Sequence, residues 1–309
     1  MDENNKVTEV PASETKPEKK KRKRRFGDRK DGRKIRSLAP YDYVSPYIMV
    51  ERNDASNFFR DTIFIEEMEK YIRAKKDEGL KSFGVMHVLI AAYVRLVSQK
   101  PRVNRFIGGQ KIFARDIIEV NLAIKPEMNE NSTDTVIKMR FQPTDTVYDV
   151  YRVIEDTINE ARKPENTGFD NTAKLINYVP GLVKKNLVWL LKLLDYFGLL
   201  PKALTDVSPF HGSMFITSMG SLGIPPIYHH LYNFGNVPMF ISFGRKYSKN
   251  ELADDGTVVK RRCIDYCAVM DERICDGFYY SGALKYFKSL LNHPAALDEK
   301  PETVVEDVD

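Results

Sequence analysis

A run of residues that is apolar on nearly every side limits the folds open to this chain. The run "FGVMHVLIAAYVRLVSQK", residues 83–100, has the length of a helix and stops before Pro101. A helix that is apolar all round must be covered on most sides. Because 309 residues with 42% hydrophobic content can bury a sizeable core, we expect one large domain around this helix. His87, within the run, is interpreted as a hydrogen-bonded core residue.

Helical and strand-like patterns alternate around this run. Apolar spacing predicts helices over 61–79, 144–163, 186–200 and 279–292, with Thr144 or Asp145 capping the second. Alternating patterns predict strands over 117–125, 134–141, 212–223, 237–246 and 261–272, and a hairpin over 104–114 that turns on Gly108-Gly109. The order has no regular βαβ rhythm, so the predicted fold class is α/β with a mixed sheet and α+β character.

Two of these predicted elements carry a further expectation. In the strand over 261–272, period-2 alternation places Cys263, Asp265, Cys267 and Val269 on one face. The apolar helix over 186–200 is too short to span a bilayer and is interrupted by charges, so we interpret it as a buried or interface helix. The alternative, a helix on a membrane surface, requires a more cationic polar face.

The positive charge is concentrated at the N-terminus. Residues 1–36 carry 14 basic and 7 acidic side chains, whereas the remainder carries 34 basic and 36 acidic ones. We therefore expect a disordered basic arm over 1–36, a domain over 37–296 and a mobile acidic tail over 297–309. The preferred role of the arm is solubilising; contact with nucleic acid or a membrane is the less favoured alternative.

Cysteine usage and the N-terminus indicate the compartment. Cys263, Cys267 and Cys275 are typical of reduced thiols in an intracellular protein, and their spacing does not match a zinc site, so no metal is expected. No apolar run follows Met1, which argues against a secretory signal. A cytoplasmic location is expected.

A series of motifs in the second half of the chain resembles a known family. The long apolar helix is followed by "KPRVNRF", then by the glycine-punctuated runs "GSMFITSMGSLG" and "MFISFGR", and finally by "DERICDG" and a helix ending "LLNHP". The series is similar to the catalytic domain of the dihydrolipoyl acyltransferases of 2-oxoacid dehydrogenase complexes, and to their relative chloramphenicol acetyltransferase. The resemblance covers roughly residues 40–295. It implies a chloramphenicol acetyltransferase-like, coenzyme A-dependent acyltransferase fold.

The resemblance also implies an activity. It predicts a homotrimer with active sites at subunit interfaces, where coenzyme A meets a small-molecule or lipoyl-type acyl acceptor carrying a thiol or hydroxyl. A base removes the acceptor proton and a hydroxyl stabilises the tetrahedral oxyanion. Lipoyl and subunit-binding modules are not found, so a stand-alone catalytic domain is expected. The alternative is a catalytically silent homologue that serves as a trimeric binding or assembly subunit.

The chain departs from the family at the base. The family signature Asp-His-Arg-x-x-Asp-Gly corresponds to residues 271–277, where Glu272 takes the place of the histidine. In one interpretation Glu272 is the base, with a pKa raised by desolvation in a closed channel. In the other, Glu272 pairs with Arg273 or another cation and the chemistry is lost or changed. Thr217 matches the serine that stabilises the oxyanion.

The resemblance assigns structural roles to three further residues. Asp276 is expected to pair with Arg52, from "VERNDASNFF", and to brace the active-site loop, and Gly277 is expected to let the chain turn into the last helix. Because removing one half of a buried pair costs about 3–5 kcal/mol, Arg52→Ala and Asp276→Ala should each unfold or misassemble the protein. His230 is the alternative base, given a low weight together with His229.

Overall fold

Two β-sheets organise the part of the chain that the computed structural model describes, residues 23–124, 135–161 and 179–309. Helices α1 to α7 span Pro40–Ile48, Glu66–Asp77, Val85–Gln99, Val147–Ala161, Gly181–Tyr196, Lys202–Val207 and Gly277–Asn292. Strands β1 to β9 span Gly32–Lys34, Ser56–Phe64, Arg105–Gly108, Lys111–Arg115, Ile118–Ile124, Thr135–Phe141, Met214–Ser218, Met239–Leu252 and Val258–Asp271. Residues 125, 134 and 162–163 of the predicted elements, and residues 1–22 of the predicted arm, lie outside the described residues.

The larger sheet has six strands in the order β2-β9-β8-β7-β5-β6. Strand β7 runs parallel to both of its neighbours, β5 and β8, and the other pairs are antiparallel. The smaller sheet is antiparallel, in the order β1-β4-β3. The sheet is therefore mixed, and the predicted fold class is confirmed.

Helix α3 lies at the centre of the core, as its composition predicts. Twelve of its fifteen residues are buried. His87 lies near its start, where its Nδ1 accepts a hydrogen bond from the Gly84 N–H at 3.1 Å and its ring stacks on Phe83. Burial lowers the pKa of His87, and Glu155 only partly offsets this effect. The interpretation of His87 as a core residue is confirmed.

Strand β9 shows the predicted alternation. Ile264, Tyr266, Ala268 and Met270 face the main core, whereas Val269 belongs to a separate small cluster on the other face of the sheet. That cluster contains Phe215 of β7, Phe240 of β8, and Leu231 and Val237 of the loop between these strands. The second face of the sheet is thus covered by a loop rather than by helices.

Three sequence predictions are wrong in detail. The helix predicted over 61–79 begins only at Glu66, because β2 continues to Phe64 and pairs along its whole length with β9. The hairpin turns on Gly109-Gln110, whose φ angles of 54° and 57° are those that a two-residue hairpin turn requires. The cap of α4 is Thr146, which donates from N–H and Oγ1 to Asp149.

Helix α5 is longer at its N-terminus than predicted and has no buried residue. Of the two predicted alternatives, a buried or an interface helix, the buried one is wrong, and the interface helix stays a prediction. Within the described ranges, none of the helices is long and apolar enough to cross a membrane.

Both predicted tails contribute to the fold. In the N-terminal segment, β1 pairs with β4, so the folded part begins before residue 37. In the C-terminal segment, the Val305 N–H donates to the Ser98 carbonyl at 2.8 Å. Arg105, on β3, donates two parallel hydrogen bonds of 2.7 Å to Asp307. The prediction of a mobile tail over 297–309 is corrected by these contacts.

Asp307→Asn should destabilise the protein by about 3 kcal/mol, because it leaves the Arg105 guanidinium, 3% exposed, without its counter-charge. Urea unfolding would measure the difference. Glu306→Gln, at an exposed neighbouring position, is the control and should leave the midpoint unchanged. Equal midpoints for the two variants would contradict this role of the tail.

Candidate active site

A buried carboxylate ends strand β9. Asp271 is fully buried and accepts two hydrogen bonds from the Arg273 guanidinium, from Nε at 2.8 Å and from Nη2 at 2.7 Å. The Nε of Arg52 lies 3.4 Å from the same carboxylate. Charge-assisted bidentate pairs of this kind are both strong and directional. We call these three residues the Asp271 clamp.

The Asp271 clamp connects three separate parts of the chain. Arg273 Nη1 also donates to the carbonyls of Met49 and Val50, at 2.9 and 3.1 Å, just after α1. Arg52 Nη1 donates to the carbonyl of Tyr232 at 2.6 Å, in the loop before β8. The end of β9 is thereby held in one position relative to both segments.

The expected pair between Arg52 and Asp276 is not formed. Asp276 is exposed and caps α7 by accepting a hydrogen bond from the Tyr279 N–H at 2.8 Å. The partner of Arg52 is Asp271, which lies five residues before Asp276. Asp271, the first carboxylate of the signature, is buried in the clamp, whereas Asp276 is at the surface. The expected role of Gly277 is not supported either, since a Cβ there would meet nothing within 4 Å and its φ is not positive.

Glu272 follows the clamp and has a different environment. Its N–H donates to the Ala55 carbonyl at 2.9 Å, which fixes its backbone, and its side chain is half-buried. Arg273 is engaged by Asp271, so the alternative in which Glu272 pairs with Arg273 is not observed. Among residues 23–124, 135–161 and 179–309, the Glu272 carboxylate makes no hydrogen bond or ion pair.

Thr217 lies on β7 and is buried, with Ser242 of β8 beside it in the parallel register. Its hydroxyl forms no hydrogen bond with any residue that the structure describes. By strand periodicity Thr217 shares a sheet face with Phe215. Thr217 therefore lies on the loop-covered face of the sheet.

The glycines that punctuate this region are required by close approach of the backbone. A Cβ on Gly220 would lie 2.8 Å from the carbonyl oxygen of Gly244, and a Cβ on Gly244 would lie 2.5 Å from Pro226. The turn after β7, the bulge in β8 and the start of the loop therefore meet without side chains between them. This contact explains why both strand patterns contain glycine.

The two adjacent histidines lie on this loop and differ in environment. His229 stacks on Phe240 with 4.2 Å between ring centroids, and its Nε2 is buried without a partner among the described residues. Burial, with a smaller contribution from His230, lowers the pKa of His229. His230 is exposed and its ring contacts Tyr232. Of the two, His229 is the residue that shares the sheet face of Thr217.

Thr217 and Glu272 lie far apart within one chain. The register aligns Thr217 with Ser242 and, on the next strand, with Cys267. Asp271 is two strands away from Thr217 and four residues beyond that level, which corresponds to roughly 17 Å between Cα atoms. Glu272 lies one residue further on. Their side chains cannot reach the same reacting atom from a single chain.

A second polar cluster was not predicted. Asp195, at the end of α5, lies 2.8 Å from Arg29 Nη2 and 3.4 Å from His211 Nε2. Burial alone would raise the pKa of Asp195, but His211 and Arg29 outweigh it and lower the value to about 2. His211 also contacts Ser208 at 2.9 Å. The sequence gives no signal for this cluster, because its members are up to 182 positions apart.

A cavity of about 250 Å³ joins the two clusters. Its wall includes Arg52 and Arg273 from the clamp, and Lys192 and Asp195 from α5. No group of three metal-ligating side chains occurs in the described ranges. The three cysteines are buried and free, and burial raises the pKa of Cys275 to about 12.

The clamp predicts different costs for the two signature aspartates. Asp271→Ala should destabilise the protein by about 3–5 kcal/mol, since two buried arginines lose their counter-charge. Asp276→Ala removes only a helix cap and should cost about 1 kcal/mol. Chemical denaturation of both variants checks this order, and a larger loss for Asp276→Ala would contradict it.

Comparison with solved structures identifies the fold, although no family model and no curated protein matches the chain. A probable dihydrolipoamide acetyltransferase from Listeria monocytogenes aligns with a TM-score of 0.55 and 17% identity, over 86% of this chain and 92% of that chain. The Azotobacter vinelandii dihydrolipoamide acetyltransferase aligns with a TM-score of 0.55 and 15% identity, over 78% of this chain and 83% of that chain. A serine, a histidine and an asparagine of that enzyme have been investigated for their role in its catalytic mechanism.

The cubic core of a pyruvate dehydrogenase multienzyme complex aligns equally well, with a TM-score of 0.55 and 14% identity, over 85% of this chain and 93% of that chain. At these identities the likeness concerns the fold. The chain has the chloramphenicol acetyltransferase-like fold of the 2-oxoacid dehydrogenase acyltransferase catalytic cores.

Proposed function

We propose that this protein is a coenzyme A-dependent acyltransferase in which Glu272 is the base and Thr217 the oxyanion donor. The observation that carries the proposal is the position of Glu272. Its carboxylate has no ion-pair partner among the described residues, and its backbone is fixed by Ala55 and by the adjacent Asp271 clamp. A general base requires both an available carboxylate and a fixed position.

Glu272 and Thr217 could together carry out acyl transfer. Glu272 accepts the proton of a thiol or hydroxyl on the acceptor, whose sulfur or oxygen forms a bond to the thioester carbonyl carbon of acyl-coenzyme A. The Thr217 hydroxyl donates a hydrogen bond to the resulting oxyanion. When the tetrahedral intermediate collapses, the carbon–sulfur bond breaks and protonated Glu272 returns the proton to the coenzyme A sulfur.

We further propose that each site combines Glu272 of one copy with Thr217 of another, in a homotrimer. The separation within one chain supports this arrangement, because the two side chains are too far apart to share a substrate. Exposed aromatic side chains on nearby elements support a contact between copies there: Phe58 on β2, Tyr228 on the loop and Phe278 on α7 are 63%, 47% and 92% exposed.

The related enzymes favour the same assignment of residues. In the Azotobacter enzyme the catalytic histidine and asparagine lie four positions apart, as do Glu272 and Asp276 here. Asp276 is held in place as the N-cap of α7, and it follows the same end of β9 as Glu272. The acceptor is a small molecule or a lipoyl-type thiol, and the proposed location of the enzyme is the cytoplasm.

The second candidate is a silent trimeric assembly subunit, and one observation favours it. The Asp271 clamp does not include the Glu272 side chain, so the site could keep its structure after losing a working base. His230 is the alternative base if the enzyme is active without Glu272. Its exposure leaves it accessible to a substrate.

Glu272→Gln should reduce kcat at least about 100-fold in a coupled assay of acyl transfer to a panel of thiols and alcohols, because the amide cannot accept the proton. His230→Gln is the matched control and should retain activity. Loss of activity in His230→Gln with activity kept in Glu272→Gln would move the base to the loop. Activity in Glu272→His but not in the natural chain would identify a silent homologue.

A mixing experiment tests whether copies share the site. Glu272→Gln and Thr217→Val should each be inactive alone, since each removes one half of every site. Co-assembled in equal amounts, they should recover about a quarter of the natural activity, because one pair of neighbours in four then combines two intact halves. No recovery in verified mixed assemblies would contradict the shared site.

A further inference from the structure

Helix α5 presents an apolar stripe to the solvent. Leu182, Trp189, Leu193 and Phe197, in the helix and directly after it, are 80%, 61%, 38% and 64% exposed. Their spacing of seven, four and four residues places them on one side of the helix. None of the residues of α5 is buried, so the stripe has no partner among residues 23–124, 135–161 and 179–309.

The charges that α5 exposes are all positive. Its basic residues are Lys184, Lys185 and Lys192, and its only acidic residue is Asp195. The Asp195 side chain is only 12% exposed and is turned towards Arg29 and His211. The membrane-surface interpretation of this helix was less favoured above because it requires a more cationic polar face. The structure removes that objection, because the acidic group faces the protein.

The basic segment enters the fold at the same place. Arg29 Nη1 donates to the Asp195 main-chain carbonyl at 2.6 Å, and Nη2 to its carboxylate at 2.8 Å. The run "KKKRKRR", residues 19–25, ends four positions before Arg29, so Arg25 lies within about 14 Å of Arg29 along the chain. Phe26, between them, is fully exposed. Thus the described end of the basic run, Lys23 to Arg25, lies close along the chain to the residue that holds the end of the apolar helix.

We propose that α5 and residues Lys23 to Phe26, the described end of the basic run, together bind the surface of an anionic lipid bilayer. Trp189 and the leucines of the stripe enter the interfacial region, and Lys185 and Lys192 extend towards the headgroups. The basic run supplies the second, electrostatic contribution that stable association of a peripheral protein requires. The proposal does not rest on the acyl transfer proposed above.

The charge pattern argues against a second copy as the occupant. A two-fold contact through this stripe would place the lysines and the basic run of each copy opposite those of the other. Like charges brought together across an interface oppose association. An anionic surface satisfies both the apolar stripe and its positive surroundings.

Vesicle flotation of the full-length protein tests the proposal, with vesicles of phosphatidylcholine alone or with about 30% phosphatidylserine. Binding should be at least about tenfold stronger to the anionic vesicles, and should weaken strongly at about 0.5 M salt. Trp189→Ser with Leu193→Ser should reduce binding at least about tenfold. So should replacement of Lys23 and Arg24, both exposed, by Gln, since both contributions are required.

Matched controls separate this surface from general stickiness. Leu252→Ser and Lys260→Glu change an exposed apolar and an exposed basic residue of the β8–β9 hairpin and should bind as the natural protein does. Equal binding to neutral vesicles, or no binding at all, would overturn the proposal. A third outcome would also overturn it: the natural chain does not bind vesicles, and the double variant Trp189→Ser with Leu193→Ser has a lower molecular mass in light scattering than the natural chain. That outcome would assign the stripe to contacts between copies.

Discussion

The buried Asp271 carboxylate is the interaction on which the rest of the site depends. A fully buried charge is tolerated only with compensating charges and hydrogen bonds, and Arg273 and Arg52 provide them. Because those arginines also bond to main-chain carbonyls after α1 and before β8, one carboxylate determines where three segments meet. The following residue, Glu272, acquires its position from that junction rather than from contacts of its own side chain.

The mixed sheet places the two proposed catalytic residues, Thr217 and Glu272, in separate parts of one chain. Strand β7, parallel to both neighbours, carries Thr217 in the interior of the sheet. Strand β9, antiparallel to both β2 and β8, ends at Asp271, so Glu272 lies just beyond the end of the strand. Each chain therefore offers a hydroxyl in one place and a carboxylate in another. The proposed acyl transfer therefore requires residues from more than one copy.

The sequence predicted the elements whose patterns are local. The all-round apolar composition of α3 and the alternation in β9 each follow from one short window, and both are confirmed. Strand β2 was missed in part because helical spacing of apolar residues extends into it, whereas nine pairings with β9 decide its conformation. The predicted caps, Thr144 or Asp145, lie one or two residues before Thr146, because the ends of helices are less well determined than their centres.

The errors at the site have a different cause. Asp271 and Asp276 are both carboxylates of the same signature, and only the three-dimensional structure shows which one is buried beside Arg52. The inward orientation of Asp195 depends on Arg29, which is 166 residues away. The tail is held by single long-range pairs such as Arg105 with Asp307. No periodicity in a sequence reports contacts of this kind.

The proposed function requires that the protein binds coenzyme A, and this binding can be measured directly. Thermal unfolding of the full-length protein would be followed with increasing coenzyme A, and with adenosine monophosphate as a control for unspecific nucleotide effects. Specific binding should raise the melting temperature in a saturable way, with about 2.7 kcal/mol of stabilisation at 100 times the dissociation constant. A well-folded protein whose melting temperature is unchanged by millimolar coenzyme A would contradict the account.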